Sequence, residues 1–235
     1  YGVAQDYSIV KRCYERLAQQ NNSIGFLKLG NLYRRGKGVI QDYSKAKLYY
    51  ELSSLQNNPQ ALFHMSEFYS IGEFFETDYS KAIYYLNKCI QQNNSLSLNK
   101  YYYRAHNDIA LIYITVFEDI EKALNYIKIA AFSEYPFGQN NFGLINLLFL
   151  NNADEALYYF EKTSKKCFSL AEYNLGYLKE REGNEEESIT CYQRASEHED
   201  LKLVFHNHCH KDTRLEISKI FIICFTNLKL CKYFV

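Results

Sequence analysis

The chain has 235 residues, and its 27 Lys and Arg balance its 27 Asp and Glu, so the formal net charge is zero. Hydrophobic residues at 47% and only two prolines exclude a disordered chain or a proline-rich linker, and the balanced charge removes the bulk electrostatic basis for binding nucleic acid or an anionic membrane. The 23 Tyr and 16 Phe are unusually abundant and require a structural explanation.

The sequence favours a cytoplasmic protein. No basic-then-apolar signal segment opens it, and the longest apolar run, residues 220–225, is far shorter than the roughly 20 residues that a membrane helix needs. Seven cysteines at irregular spacing indicate free thiols in a reducing compartment rather than a disulfide framework. The chain begins at Tyr1 rather than Met, which leaves open that it is part of a longer protein.

A pentapeptide reveals an internal repeat. Asp42-Tyr43-Ser44-Lys45-Ala46 recurs 36 residues later as Asp78-Tyr79-Ser80-Lys81-Ala82. Two columns of mostly small residues extend this register along the chain, with one insertion of eight residues near 93–104. The first column, the early small site, comprises Gly30, Ser66, Ala110, Gly143 and Gly176. The second, the late small site, comprises Val10, Ala46, Ala82, Ala123, Ala156 and Ser188.

Each late small site is predicted to lie near the start of a helix. Four residues before it stands Asp or Asn, whose side chain accepts hydrogen bonds from the free N–H groups of a first helical turn. Large residues follow three and four positions later, on the same helix face. Apolar residues around each early small site follow the pattern of another amphipathic helix. The predicted N-caps are Asp6, Asp42, Asp78, Asp119, Asn152 and Asn184.

Each repeat is therefore predicted to be a helix–turn–helix unit. One pair cannot bury its apolar stripe alone, so the pairs are expected to stack into an all-α, right-handed α-solenoid. This array is predicted over residues 1–200, as about five to six repeats with the first one partial. His208 stands where a small early site is due, so residues 201–235 are expected to form a degenerate C-terminal segment with a capping helix.

Two of the motifs resemble a known repeat family. Gly36-Lys37-Gly38-Val39, followed by Asp42-x-x-Lys45-Ala46-x-x-Tyr49-Tyr50, resembles the Sel-1-like repeat. Later units, most clearly around Leu175-Gly176, resemble the related tetratricopeptide repeat. The resemblance implies a scaffold or adaptor for protein–protein interaction, without catalysis.

Residues with catalytic or ligand-binding character have structural interpretations. Gly36-Lys37-Gly38 lacks the third glycine and the preceding strand of a phosphate-binding loop, so we interpret it as a connector. Glu185-Glu186-Glu187 is predicted to lie in a first helical turn, where negative charge opposes the helix dipole. Cys13 and Cys191 share the column of the core tyrosines and are expected to fill the core.

One cluster, His206-Asn207-His208-Cys209-His210, has metal-ligand character. On a helix His206 and His210 would share a face, with Cys209 one step round. A structural zinc normally takes four ligands, so a later cysteine would have to complete the site. We therefore expect no metal and no cofactor, while a zinc site here stays open.

By similarity with tetratricopeptide arrays, the first helix of each pair lines a concave groove. Positions one and four residues after the early small site, and three before it, face that groove; we name this side of the first helices the groove face. Its lining changes from polar to apolar to aromatic along the chain, which suits an extended peptide better than a charged polymer. The candidate contact residues are Asn31, Arg34, Phe63, Glu67, Asn107, Asn140, Tyr173 and Tyr177.

The sequence thus favours a non-enzymatic scaffold that binds a protein or peptide partner, and we expect no nucleic acid, membrane or small-molecule substrate. The alternative hypothesis is that the chain is the C-terminal repeat region of a larger signalling enzyme, such as a protein kinase, whose catalytic domain lies upstream of Tyr1.

Overall fold

The computed structural model describes residues 7–71, 76–92, 100–166 and 169–197, and every regular element in these ranges is an α-helix. The chain divides into two compact units, an N-terminal unit (Tyr1–Ala105) and a C-terminal unit (His106–Val235). The helices are α1 (Tyr7–Gln19), α2 (Ser23–Arg35), α3 (Tyr43–Leu55), α4 (Pro59–Ile71), α5 (Tyr79–Gln91), α6 (Lys100–Thr115), α7 (Ile120–Ala131), α8 (Pro136–Phe149), α9 (Ala153–Ser164), α10 (Ser169–Arg181) and α11 (Glu185–Glu197).

Successive helices form antiparallel pairs. In the N-terminal unit α2 pairs with α3 and α4 with α5; in the C-terminal unit α6 pairs with α7, α8 with α9 and α10 with α11. The Ser53 hydroxyl, near the end of α3, donates to the carbonyl oxygen of Ser23 at the start of α2 (2.8 Å). The Cys89 thiol makes the equivalent contact to Pro59 (3.2 Å). Neighbouring pairs pack through α3 and α4 in one unit, and through α7 and α8, and α9 and α10, in the other. The predicted fold class, stacked helix–turn–helix repeats of the α-solenoid type, is confirmed.

The predicted N-caps are confirmed wherever the structure describes them. Each side-chain oxygen accepts from the backbone N–H three residues later, which satisfies a donor that the helix itself leaves free. A cap of this kind stabilises its helix by about 1 kcal/mol. The pairs are Asp42 and Lys45 (2.9 Å), Asp78 and Lys81 (2.9 Å), Asp119 and Lys122 (3.0 Å), Asn152 and Glu155 (3.2 Å), and Asn184 and Glu187 (3.3 Å). Asp6 lies outside the described residues.

The connector between α2 and α3 needs glycine. Gly36 and Gly38 adopt left-handed backbone angles (φ 65° and 71°). Residues other than Gly, Asn and Asp rarely adopt this conformation. The Gly36 N–H reaches the carbonyl oxygen of Leu32 and caps α2. The interpretation of Gly36-Lys37-Gly38 as a connector is therefore confirmed.

Apolar residues on both sides of the early small site form the core, as predicted. The residue before the site and the second residue after it are buried in all five repeats. They are Leu29, Leu32, Met65, Phe68, Ile109, Ile112, Phe142, Ile145, Leu175 and Leu178.

The early small site makes room for a side chain of the following helix. A Cβ atom on Gly30 would lie 2.6 Å from the Tyr50 ring, and one on Gly143 would lie 2.7 Å from the Phe160 ring. Gly176 faces Tyr192 in the same way, at 2.9 Å. By register, the two repeats without glycine pair Ser66 with Leu86 and Ala110 with Ile127. The early small site is thus glycine where its partner on the second helix is aromatic. It is Ser or Ala where that partner is Leu or Ile.

A further small column, five residues before the early small site, faces the preceding repeat. A Cβ atom on Gly25 would lie 2.6 Å from the Cβ of Leu17 in α1, and one on Gly138 would lie 2.7 Å from the Cβ of Ala130 in α7. First helices are therefore packed closely on two sides. The full column is Gly25, Ala61, Ala105, Gly138 and Ala171, all of them buried.

Stacked tyrosine pairs account for much of the tyrosine excess. A first-helix ring stacks on a second-helix ring at centroid distances of 5.6, 5.7 and 5.9 Å. A lysine from the first turn of the second helix lies 5.4 Å from each first-helix ring centroid. The stacks are Tyr33 with Tyr49, Tyr69 with Tyr85, and Tyr113 with Tyr126.

The expectation for the two core cysteines is half right. Cys191 is buried, but Cys13 is exposed. Its helix α1 contributes no buried residue, because among the described residues it packs chiefly on α2. Residues 93–99 of the insertion predicted near 93–104, and the segment 201–235, lie outside the described residues. The domain boundary at residue 200 and the capping helix therefore stay predictions.

Packing at the early small site can be tested by a double-mutant cycle. Gly143→Ala gains about 1 kcal/mol of helix propensity but is expected to destabilise the protein by roughly 1–3 kcal/mol, because the new Cβ overlaps the Phe160 ring. Phe160→Leu alone leaves a cavity and also destabilises the protein. The double variant recreates the Ser66/Leu86 type of pair and should cost at least about 1 kcal/mol less than the sum of the single changes. Urea unfolding measures all three variants, and additive effects would contradict this packing relation.

Candidate functional site

The predicted contact residues fall into two classes of exposure. Phe63, Glu67, Asn107 and Asn140 are buried, because neighbouring helices cover them. Asn31, Arg34, Tyr173 and Tyr177 are half-buried and keep part of their surface open to solvent. The groove face is therefore accessible in the N-terminal unit at α2 and in the C-terminal unit at α10.

A buried carboxylate organises the groove face of the N-terminal unit. Oε2 of Glu67 accepts from Nη1 of Arg34 (2.6 Å), and Oε1 lies 3.4 Å from Nη2 of Arg104. The three side chains come from α2, α4 and α6, so one carboxylate joins three first helices. Removing one partner of such a buried pair typically costs about 3–5 kcal/mol, because the other charge is left uncompensated.

His64 completes this cluster as a neutral donor. Its Nδ1 lies 2.8 Å from Oε2 of Glu67, and its Nε2 lies 3.3 Å from the side-chain nitrogen of Gln60. A neutral imidazole with its proton on Nδ1 donates to Glu67 and accepts from the Gln60 amide. Nη1 of Arg34 lies 3.0 Å from the same Nδ1, and with this tautomer it donates to Glu67 instead. Burial lowers the pKa of His64 against the attraction of Glu67, which agrees with a neutral ring.

Glu67 stays ionised despite its burial. Burial alone would raise the pKa of Glu67, but the charges of Arg34 and Arg104 and the hydrogen bond from His64 hold it well below its usual range. The cluster therefore holds one ionised, buried carboxylate between the guanidinium groups of Arg34 and Arg104.

Amide side chains take the corresponding place in the C-terminal unit. Asn174 of α10 donates to Asn140 of α8 (2.8 Å), and Asn141 of α8 donates to Asn107 of α6 (2.8 Å). Within the helices, Asn140 donates to Asn141 (3.4 Å) and Asn107 to the Asp108 carboxylate (3.0 Å). All four bonds point the same way and end on a charged acceptor, an order in which hydrogen bonds reinforce one another.

The exposed end of the C-terminal groove face is aromatic. The Tyr173 ring packs against Tyr192 at a centroid distance of 5.3 Å, and burial raises the pKa of Tyr173 to about 12. The Tyr192 hydroxyl donates to a carboxylate oxygen of Glu180 (3.1 Å). The Tyr177 ring is half-buried, with the Arg181 guanidinium 6.0 Å from its centre. These rings form an amphipathic surface with few rotatable bonds.

Sequence reasoning missed four polar residues of these networks. His64, Asn141 and Asn174 stand two residues before the early small site, and Arg104 stands six before it. None of these positions belongs to the groove columns taken from tetratricopeptide arrays. The sequence feature that could have identified them is a run of polar residues within an apolar helix, such as Gln139-Asn140-Asn141. Polar side chains that are buried in this way must form hydrogen bonds within the protein.

Of the two remaining sequence candidates, the structure describes the acidic triplet but not the histidine cluster. Glu185-Glu186-Glu187 occupies the first turn of α11, as predicted. The cluster His206–His210 lies outside the described residues. In the part of the chain that the structure describes, no three His, Cys, Asp or Glu side chains gather as metal ligands would, and no helix is both long and apolar enough to cross a membrane.

His106 gives the C-terminal unit a pH dependence. The ring is 4% exposed, lies 5.7 Å from the Tyr126 ring centroid, and has its pKa lowered by burial from 6.5 to about 4. Between these two pH values the unfolded chain binds a proton that the folded chain does not. Stability therefore falls as the pH falls from 6.5 to 4, by up to about 1.4 kcal/mol per pH unit.

The contribution of His106 to the pH dependence of stability can be measured by replacing it with the residue found at the equivalent position of another repeat. Leu62 holds the equivalent position in α4, so His106→Leu should reduce the loss of stability between pH 7 and pH 5. Urea unfolding of both proteins at both pH values measures the difference. His64 and Glu67 titrate in both proteins and cancel in the comparison, and equal pH slopes would contradict the role of His106.

Comparison with known proteins agrees with this repeat architecture. A Sel1 repeat protein from Oxalobacter formigenes has the same fold, with a TM-score of 0.69 at 22% identity, covering 83% of this chain and 81% of that one. A protective antigen of uropathogenic Escherichia coli strains, with an SLR fold, gives a TM-score of 0.70 at 22% identity over 83% of this chain, which spans only 42% of the antigen. An immunity protein from Pseudomonas aeruginosa gives 0.52 at 19% identity, covering 82% of this chain and 76% of that one. No curated protein sequence matches the chain.

The Sel1 repeat family matches five segments of the sequence, residues 27–58, 59–94, 114–131, 149–166 and 169–200, which together make up more than half of the chain. The segments 27–58 and 169–200 each contain most or all of a helix pair, α2 with α3 and α10 with α11. The chain therefore belongs to the Sel1 repeat family.

Proposed function

We propose that the chain is a non-enzymatic scaffold or adaptor that binds a protein or peptide along its groove face. Repeat folds of this kind generally serve as protein-interaction scaffolds, because stacked helices offer an extended binding surface. The observation that carries the proposal is the set of half-buried side chains there, Asn31 and Arg34 in one unit and Tyr173 and Tyr177 in the other.

Contacts within the protein hold these side chains in place before any partner arrives. Oδ1 of Asn31 accepts from the Tyr50 hydroxyl (2.8 Å), Arg34 is bonded to Glu67, and Tyr173 packs on Tyr192. Ordering a side chain in a complex costs about 0.5–1.5 kcal/mol, so a surface that is ordered beforehand binds more tightly.

The residue types also suit protein recognition. Tyr and Arg are among the residues that contribute most to binding energy at protein interfaces, since each offers a large contact area together with a hydrogen-bonding group. The proposal needs no cofactor, metal or small-molecule substrate. Cys13, Cys89 and Cys191 are reduced cysteines, which fits a reducing compartment, and we propose a cytoplasmic location.

Photo-crosslinking tests which face binds. A crosslinking amino acid in place of Tyr177 on α10 is expected to capture a protein partner from a lysate of the source organism. The matched control is the same replacement at Tyr158, a second-helix tyrosine that is 56% exposed. Tyr177→Ala should weaken binding of the captured partner about tenfold or more, whereas Tyr158→Ala should change it less than twofold.

Two results would contradict the proposal. One is crosslinking from Tyr158 that equals or exceeds crosslinking from Tyr177. The other is that neither the crosslinker at Tyr177 nor one placed at Asn31 in the N-terminal unit captures a specific partner.

A further inference from the structure

Exposed apolar residues mark the ends of two consecutive first helices in the C-terminal unit. Val116 and Phe117 follow α6, whereas Phe149 is the last residue of α8 and Leu150 comes directly after it. The four residues are between 39% and 48% exposed. We name these two dipeptides the apolar tips. Each tip stands six and seven residues after the early small site of its repeat.

The fold does not require large apolar residues at these two positions. The other three repeats have polar or small residues there, and α3 and α11 still follow α2 and α10 as second helices. Apolar side chains that keep this much of their surface in water gain little from folding, which indicates a contact outside the fold. The corresponding dipeptides are Gly36-Lys37, Gly72-Glu73 and Glu182-Gly183.

The two apolar tips lie on the same edge of the C-terminal unit. Both α6 and α8 pack antiparallel to α7, so they run in the same direction. They are neighbours, because the side chain of Asn141 in α8 donates to that of Asn107 in α6 (2.8 Å). Packed helices lie about 8–10 Å apart, a distance that about three extended residues span. One peptide segment can therefore contact both tips.

Carboxylates surround the apolar tips. Residues 116–122 and 149–155 contain five carboxylates and a single lysine, and this Lys122 pairs with Asp119 (2.8 Å). Within the described ranges of the chain no cation forms an ion pair with the other four carboxylates. The edge thus combines apolar surface with negative charge. These four carboxylates belong to Glu118, Glu121, Asp154 and Glu155.

Helix capping explains only part of this charge. Carboxylates in the first turns of α7 and α9 are favourable next to the helix dipole, but α3 and α5 have the same type of N-cap without an acidic first turn. Glu118 precedes the N-cap and adopts a left-handed backbone angle (φ 52°). Asn151 and Gly183, which tolerate that conformation better, stand at the same position of the next two repeats. Glutamate at 118 therefore places a carboxylate beside Phe117 although it strains the backbone.

We propose that this edge, formed by the apolar tips and the carboxylates around them, binds a partner segment that combines Lys or Arg with large apolar residues. The edge is separate from the groove face, so the inference goes beyond the proposed function. The apolar residues of such a segment remove the tips from water, and its cations approach the four carboxylates. A polyanion has the wrong sign of charge, and a purely basic segment leaves the tips exposed.

The test uses the full chain and three fluorescein-labelled 12-residue peptides. The first repeats Lys-Leu-Ser-Lys three times; the second has Gln in place of every Lys, and the third has Ser in place of every Leu. Fluorescence anisotropy at physiological ionic strength is expected to show at least tenfold tighter binding of the first peptide than of either other one. Added salt should weaken this binding, because the carboxylates lie at the surface.

Phe117→Ser is expected to weaken binding of the first peptide at least fivefold, because it removes one apolar tip. Phe132→Ser is the matched control. The Phe132 ring is 74% exposed and follows α7 at the opposite edge of the same unit, so its loss should change binding less than twofold. General adhesion of the peptide to exposed rings would give Phe132→Ser an effect at least as large.

Glu118→Asn separates recognition from folding. Asparagine tolerates the left-handed conformation better than glutamate, so this variant should unfold at a higher urea concentration than wild type. Loss of the carboxylate should nevertheless weaken binding of the first peptide at least threefold. Glu161→Gln makes the same change of net charge at an exposed position in the last turn of α9, and it should stay within twofold of wild type.

Equal binding of the three peptides, no binding of the first peptide, or wild-type affinity in Glu118→Asn would each overturn the inference. Dimerisation of the chain that Phe117→Ser abolishes would also overturn it, since the tips would then bind a second copy. The proposed function is judged separately, by crosslinking at Tyr177. Tyr177→Ala should leave the affinity for the first peptide within twofold; a loss equal to that of Phe117→Ser would place the peptide on the groove face and reject only the present inference.

Discussion

The fold depends on how closely each first helix approaches the second helices on either side of it. Gly143 admits the Phe160 ring of its own repeat, and Gly138, five residues earlier, admits Ala130 of the preceding repeat. Close approach increases dispersion contacts and excludes water, and a bulkier residue on either face would separate two layers at once. The two small columns therefore set the spacing of the stack, and buried rings and aliphatic side chains pack against them.

Such close packing decides what the polar side chains of the first helices do. Ten of the fourteen residues of α8 are buried, among them four amides, Gln139, Asn140, Asn141 and Asn146. A buried polar group must be bonded inside the protein. Asn140 and Asn141 therefore bond to asparagines of α10 and α6, while Gln139 and Asn146 donate to the backbone carbonyls of Ser133 and Phe142. The N-terminal unit meets the same requirement with an ionic cluster, in which the buried carboxylate of Glu67 contacts Arg34, Arg104 and His64. The two units thus satisfy one packing constraint in two ways, with ions in one and amides in the other.

The sequence was sufficient to predict the elements but not the surface of the site. N-caps such as Asp42 and the small site Gly30 recur at fixed spacing because each satisfies a local rule of helix geometry. The positions of the groove face were assigned from the geometry of tetratricopeptide repeats. That geometry does not determine how much of a side chain such as Asn140 is covered by neighbouring first helices. Whether Glu67 is a solvated contact or a buried link depends on Arg104, which comes from another repeat and lies 37 residues away along the chain.

Net charge is a poor guide to the partners of a repeat protein. In a stack each repeat contacts only its neighbours, and salt screens exposed charges beyond about 8 Å at physiological ionic strength. A partner therefore meets the charge of one surface patch at a time. The neutrality of the whole chain therefore does not exclude charged surface patches on single repeats.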